Sequence, residues 1–233
     1  MKAIYPRLAF DGIRKNKRLY LPYILTCIGT VTMFYIIHHL AAMPALKSMP
    51  GGDSTVMILG LGVWVVAFFS LIFLVYTNSF LMRRRKKEFG LYNILGMGKK
   101  NLSLVLLFET LTVAAISVLS GIAAGIALSK LAESGLVYMV NGKVSYKFTV
   151  NVNAVLDTLL IFGGIFLLLY LKSLVSIWRL NAISLIKSEN TGEKPPRANY
   201  VLGIGGIILL AAAYYMAVSI KSPLLAIGWF FIA

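Results

Sequence analysis

One carboxylate inside an apolar run is where chemistry would begin in this chain. Glu109 lies about two turns into the segment 102–128, and a carboxylate at such depth is costly unless it faces a bundle interior, pairs or takes a proton. Two readings stay open for it. One is a polar lock between helices that rearranges during a transport cycle; the other is a static hydrogen bond or a side chain snorkelling to the interface. The second concentration of reactive types is 83–100, RRRKKEFGLYNILGMGKK, where seven basic side chains and one acid stand between two apolar runs. Positive charge by itself would serve as a topology signal. Phe89, Leu91, Ile94 and Leu95, punctuated by Gly90, Gly96 and Gly98, predict instead a short element shaped to touch another protein.

The remaining candidates do not assemble a catalytic centre. The sequence has no G-x-x-x-x-G-K-[ST] to cradle phosphate, no His-Glu-x-x-His, and no Ser or Cys nucleophile with a plausible histidine partner. His38 and His39 are adjacent, so on a helix they point about 100° apart, which disfavours a shared metal site. Cys27 is the single cysteine and has no partner for an intramolecular disulfide. Work against a gradient would therefore need energy from another subunit.

The elements that must position these residues are membrane helices. The 233 residues are 59% hydrophobic with a mean hydropathy of +0.83, which predicts an all-α polytopic membrane protein. A bilayer span takes about 20 apolar residues, and five segments supply them: 19–42, 56–82, 102–128, 155–178 and 201–220. A sixth begins near Pro223 and reaches Ala233 too soon to cross, so the sequence reads as the N-terminal part of a longer protein or as a truncated product. The expected organisation is an amphipathic interfacial helix over 1–18, a four-span unit over 19–188, a polar linker over 189–200, and a fifth span with the start of a sixth over 201–233.

Charge orients the spans. Of the 23 Lys and Arg residues, eighteen fall before the first span, in 83–100, or around and after the end of the fourth; five fall on the other side. That bias predicts a cytoplasmic N-terminus. The net charge of +15 is accounted for by topology and anionic lipid rather than by nucleic acid. In the first eighteen residues Tyr5, Leu8, Ala9, Gly12 and Ile13 share one helical face, and Arg7, Asp11, Arg14 and Arg18 another. Such a helix either braces the first span along the inner leaflet or is a basic topogenic tail. On the outer side, Asn141-Gly142 between the apolar run 137–140 and the alternating Val144, Tyr146, Phe148, Val150 and Val152 predicts a small β-hairpin at 137–152. Gly121 and Gly125, flanked by Ser117 and Ser129, form a small-xxx-small face for close helix packing. Gly163-Gly164 offers a complementary flat face.

With these pieces in order, the chain resembles the FtsX-like ABC transporter permeases. The likeness rests on Arg84-x-Lys86-x-Glu88-Phe89-Gly90-Leu91, then Leu95-Gly96-Met97, then Glu109 in the following span and the Gly121/Gly125 face beyond it. The opening LAFDGIRKNK is similar to the family's first basic helix. Within the family the layout is most similar to the bacitracin-resistance (Bce-type) permeases, because the loop after the first span is short and further spans follow a polar linker. The resemblance implies the permease subunit of an ABC transporter in the bacterial plasma membrane, not itself an enzyme. It would bind no cofactor, leaving ATP and Mg to a partner ATPase. The ATPase-coupling residues it implies are Arg84, Lys86, Glu88, Phe89, Gly90, Leu91, Leu95 and Gly96, with 181–187 supporting the same contact. A cell-envelope substrate, peptide-antibiotic resistance and a sensor histidine kinase as a further partner are implied in the same way. The alternative is a signalling or scaffold protein that passes conformational change to an envelope partner. An unrelated secondary-transporter fragment would need an ion path, for which Glu109 is the one candidate.

Overall fold

The computed structural model describes residues 4–43, 46, 52–139, 150–179 and 200–219, most of them in six helices. They are α1 (Ile4–Lys15), α2 (Lys17–Ala41), α3 (Gly52–Ile94), α4 (Lys99–Met139), α5 (Val152–Trp178) and α6 (Tyr200–Ser219). The chain divides into two units, Met1–Lys187 and Ser188–Ala233. Within the second, α6 is a 20-residue apolar helix that covers the expected fifth span. The linker residues 189–199 and the start of the expected sixth span, 220–233, lie outside the described residues.

In the first unit four helices are long and apolar enough to cross a membrane: α2, the Gly52–Lys86 part of α3, the Lys99–Tyr138 part of α4, and α5. They match the four spans expected over 19–178, with one difference of length. α3 runs unbroken for 43 residues, about 64 Å at 1.5 Å per residue, roughly twice the hydrocarbon thickness. The basic stretch expected as a separate element is the last three turns of this helix. Gly90 lies inside it, and the chain turns only at Gly96, whose φ of 92° is the left-handed conformation that glycine adopts without strain. α4 also exceeds its apolar run. Residues 137–139, expected as the first strand of a hairpin, are its last turn. The helix continues there because Ser129, Glu133 and Val137 recur at four-residue spacing and are all buried. Val152, expected to end the second strand, opens α5, whose N-cap Asn151 accepts a hydrogen bond from the Ala154 N–H at 3.2 Å. Residues 140–149 lie outside the described residues.

α2 is the central helix, packed on α4, α3 and α5. Tyr20, Tyr23, Cys27, Val31 and Phe34 make its buried seam, joined by Leu74 and Leu81 from α3, Val113 and Ile122 from α4, and Phe162 and Phe166 from α5. Steps of three and four residues place them on one face. The small-residue face of α4 is used as expected, but its complement is α2 rather than Gly163-Gly164. A Cβ added at Gly121 would lie 2.6 Å from Val31 Cβ and 3.1 Å from the Ile28 carbonyl; one at Gly125 would lie 2.7 Å from Tyr35 Cδ1. The approach lets Thr32 Oγ1 donate to the Gly121 carbonyl at 3.0 Å. Among the described residues nothing lies within 4 Å of a Cβ at Gly163 or Gly164. The N-terminal helix α1 packs chiefly on α4 and only slightly on α2, so it braces the third span rather than the first. Its buried residues Ala9 and Gly12 belong to the expected apolar face, and Arg7, Asp11, Arg14 and Arg18 are exposed.

Backbone approach at Gly121 is therefore the tightest constraint on the bundle. Gly121→Leu is expected to destabilise it by about 1–3 kcal/mol through overpacking, whereas Gly164→Leu leaves thermal unfolding in detergent unchanged or slightly improved. Equal unfolding temperatures for the two variants would contradict this packing.

Candidate functional site

Two groups of residues stand out, one inside the bundle and one at its basic end. The first begins with helical phase. Along α3, Leu74, Asn78, Leu81, Arg85 and Phe89 follow each other at three- and four-residue steps and are all buried. The third arginine of the basic run is thereby carried into the interior, 2% exposed. There it meets Glu109 of α4, also 2% exposed, and Tyr20 of α2. Arg85 Nη1 donates to both Glu109 Oε2 and the Tyr20 hydroxyl oxygen, and the Tyr20 O–H donates to the same carboxylate oxygen at 3.1 Å. Arg85 Nε donates to Glu88 Oε2 at 3.1 Å, and the guanidinium lies 4.7 Å from the Phe89 ring centroid and 5.4 Å from that of Tyr20. Cation, carboxylates and aromatic faces together offset the desolvation that each charge would otherwise suffer alone.

α1 closes this cluster. A Cβ at Gly12 would fall 2.8 Å from Glu109 Oε1 and 3.3 Å from Arg85 Nη2, so only a glycine lets α1 lie this close. Among the described residues Glu109 Oε1 has no hydrogen-bond partner. The cluster thus joins four helices, α1 to α4, through groups far apart in sequence. Of its members the sequence singled out Glu109 and, for other reasons, Glu88 and Phe89. It missed Arg85, counted there as one more topology charge, and Tyr20. Continuing the helical phase of α3 past Met82 would have found the arginine.

The second group is the end of α3 and the turn to α4. Phe89 is buried against Met82, Leu102, Leu106 and Ile177, and Gly90 is buried beside it. These two therefore hold the α3 tip against α4 and α5 and do not face outward. Leu91, Ile94 and Leu95 do, being 59%, 56% and 75% exposed. Arg84 lies exposed with its guanidinium 5.2 Å from the Phe80 ring, Lys86 and Glu88 are half-buried, and Gly96 is exposed in the turn. Lys99 Nζ donates to the Trp178 carbonyl at 2.9 Å, tying the start of α4 to the end of α5. The supporting segment 181–187 lies outside the described residues. The result is an apolar tip with a basic rim, carried beyond the apolar length of α3.

At the opposite end His38 Nε2 meets Asp157 Oδ2 at 2.8 Å, linking α2 to α5. The pair lines a cavity of about 470 Å³ with Phe34, Trp64 and Leu160. His39 turns elsewhere and stacks on Tyr35, as adjacent helical positions require. Among the described residues no group of His, Cys, Asp and Glu could hold a metal ion.

The model of the FtsX-like permease C-terminal family matches residues 60–185 of this chain. The chain is 28% identical over 212 residues to YvcS of Bacillus subtilis, described as an uncharacterized ABC transporter permease, covering 90% of this chain and 33% of that protein. It is 26% identical over 215 residues to the bacitracin export permease protein BceB of the same organism, covering 91% and 33%. A BceB from Halalkalibacterium halodurans is 23% identical over 214 residues, covering 90% and 33%. The chain thus spans about a third of the length of the curated relatives it matches.

A double-mutant cycle tests the buried pair. Arg85→Met alone is expected to destabilise the bundle by roughly 3–5 kcal/mol because it strands the Glu109 charge, and Glu109→Gln alone by less, because Arg85 keeps Glu88. Glu109→Gln with Arg85→Met should lose clearly less than the sum of the two. Strict additivity in thermal unfolding would mean that the two do not act as a pair.

Proposed function

The chain belongs to the FtsX-like permease family, and from that premise we propose that it is the membrane part of an ABC transporter driven by a separate ATPase. The observation that carries this reading is the α3 tip. Leu91, Ile94 and Leu95 expose apolar surface on a helix end that projects past its apolar length, rimmed by Arg84 and Lys100. Exposed apolar area of this kind, rimmed by charge, marks a protein contact. A cytoplasmic ATPase using ATP and Mg fits it, with Leu91 and Leu95 as the apolar anchors and Arg84, Lys86, Glu88 and Gly96 around them. The basic end is then the cytoplasmic one, in keeping with the positive-inside rule. Phe89 and Gly90 serve the contact indirectly, by fixing the tip against α4 and α5.

The substrate belongs to the cell envelope, and the process is resistance to a peptide antibiotic. Two of the relatives are named as bacitracin export permeases, which supports that choice over a purely structural scaffold. Glu109 acts in this reading as the lock between helices, paired with Arg85 and capped by α1.

Leu91→Asp with Leu95→Asp is expected to abolish co-purification of the cognate ATPase while membrane insertion and thermal unfolding stay unchanged, since both side chains are exposed. Bacitracin sensitivity should rise to that of a strain lacking the gene. Retained co-purification together with unchanged resistance would overturn the docking role.

A further inference from the structure

We propose that the cleft between α3 and α5 at the basic end binds the phosphate of an anionic phospholipid headgroup. The proposal rests on the membrane-spanning assignment of these helices and shares only Lys86 with the proposed ATPase contact, so its test uses Arg83 and Lys172. The cleft has a volume of about 160 Å³, and Arg83, Lys86 and Lys172 line it together with Ser79, Ser173 and Ser176. Arg83 and Lys86 are three residues apart on α3 and so share a side of the helix. The two arginines between them are committed elsewhere: Arg84 to the Phe80 ring and Arg85 to Glu109. Among the described residues no carboxylate pairs with Arg83, Lys86 or Lys172, and no acid lines the cleft.

The hydroxyl groups are positioned as well. Asn78 Nδ2 donates to Ser173 Oγ at 2.8 Å, both residues being buried, so the Ser173 O–H proton remains to be given outward. Lys172 Nζ donates to Ser79 Oγ at 2.8 Å, which holds the ammonium over the cleft with protons to spare. Three cations and a hydroxyl donor without an anion are chemically suited to a phosphate group. Two features favour a lipid phosphate over a free one. The exposed neighbours Phe80, Leu171 and Val175 are apolar and offer acyl chains a surface. The cleft also lies where the apolar length of α3 gives way to its basic run, the depth at which headgroups meet basic pockets between spans.

The test uses the purified protein in nanodiscs of phosphatidylcholine with increasing phosphatidylglycerol, read by native mass spectrometry of retained lipid and by thermal unfolding. Arg83→Gln with Lys172→Gln is expected to weaken phosphatidylglycerol retention roughly ten-fold, while Lys17→Gln with Arg18→Gln, which removes equal charge from the same end, leaves it near the parent value. Lys172→Arg should retain binding. Equal loss in both double variants would reduce the effect to general surface charge and overturn the site. Protection by inorganic phosphate in pure phosphatidylcholine discs, equal to that by phosphatidylglycerol, would overturn the lipid assignment.

Discussion

Everything in the four-helix unit has to accommodate one buried ion pair. Arg85 and Glu109 come from α3 and α4, two helices whose other contact is the apolar cluster around Phe89, Leu102 and Leu106, and each would be prohibitively costly in an apolar bundle without the other. Their meeting fixes the rotation of both helices. It obliges Tyr20 of α2 to present its hydroxyl to the pair, and it obliges α1 to carry a glycine where it crosses them. The apolar seam of α2 lies in the main core cluster, but apolar contacts tolerate sliding by a turn. A salt bridge with a shared tyrosine does not, so the polar cluster sets the register that the apolar seam then fills.

The same pair separates two jobs within one basic run. A helix passing through the end of a bundle turns successive residues to different sides, and 83–86 take three of them. Arg83 and Lys86 line the cleft toward α5, Arg84 lies out over Phe80, and Arg85 turns inward. A run that looks uniform in composition is thus divided by helical phase into a structural charge and surface charges. Beyond it, Phe89 anchors the tip and leaves Leu91, Ile94 and Leu95 uncovered.

What was legible in the sequence follows from what is local. Four spans could be read because apolar length is a property of a segment alone, and the Gly121/Gly125 face because small residues at four-residue spacing need no knowledge of the partner. The face of α1 was legible for the same reason. Arg85 was not, because its carboxylate is 24 residues away and its tyrosine 65, and an arginine among arginines carries no local mark of burial. The continuity of α3 was hidden by Gly90, which punctuates the sequence without breaking the helix. The strand expected at 137–139 failed because a short apolar run before Asn141-Gly142 does not by itself tell a strand from the last turn of a helix.

The unbroken course of α3 has a mechanical consequence. Arg85 sits nine residues from the C-terminal end of the helix at Ile94 and thirty-three from its start at Gly52, distances of about 14 Å and 50 Å along the axis. A helix held at that point behaves as a lever with very unequal arms. For a rigid tilt about that point, one ångström of lateral displacement at the short arm corresponds to between three and four at the far end.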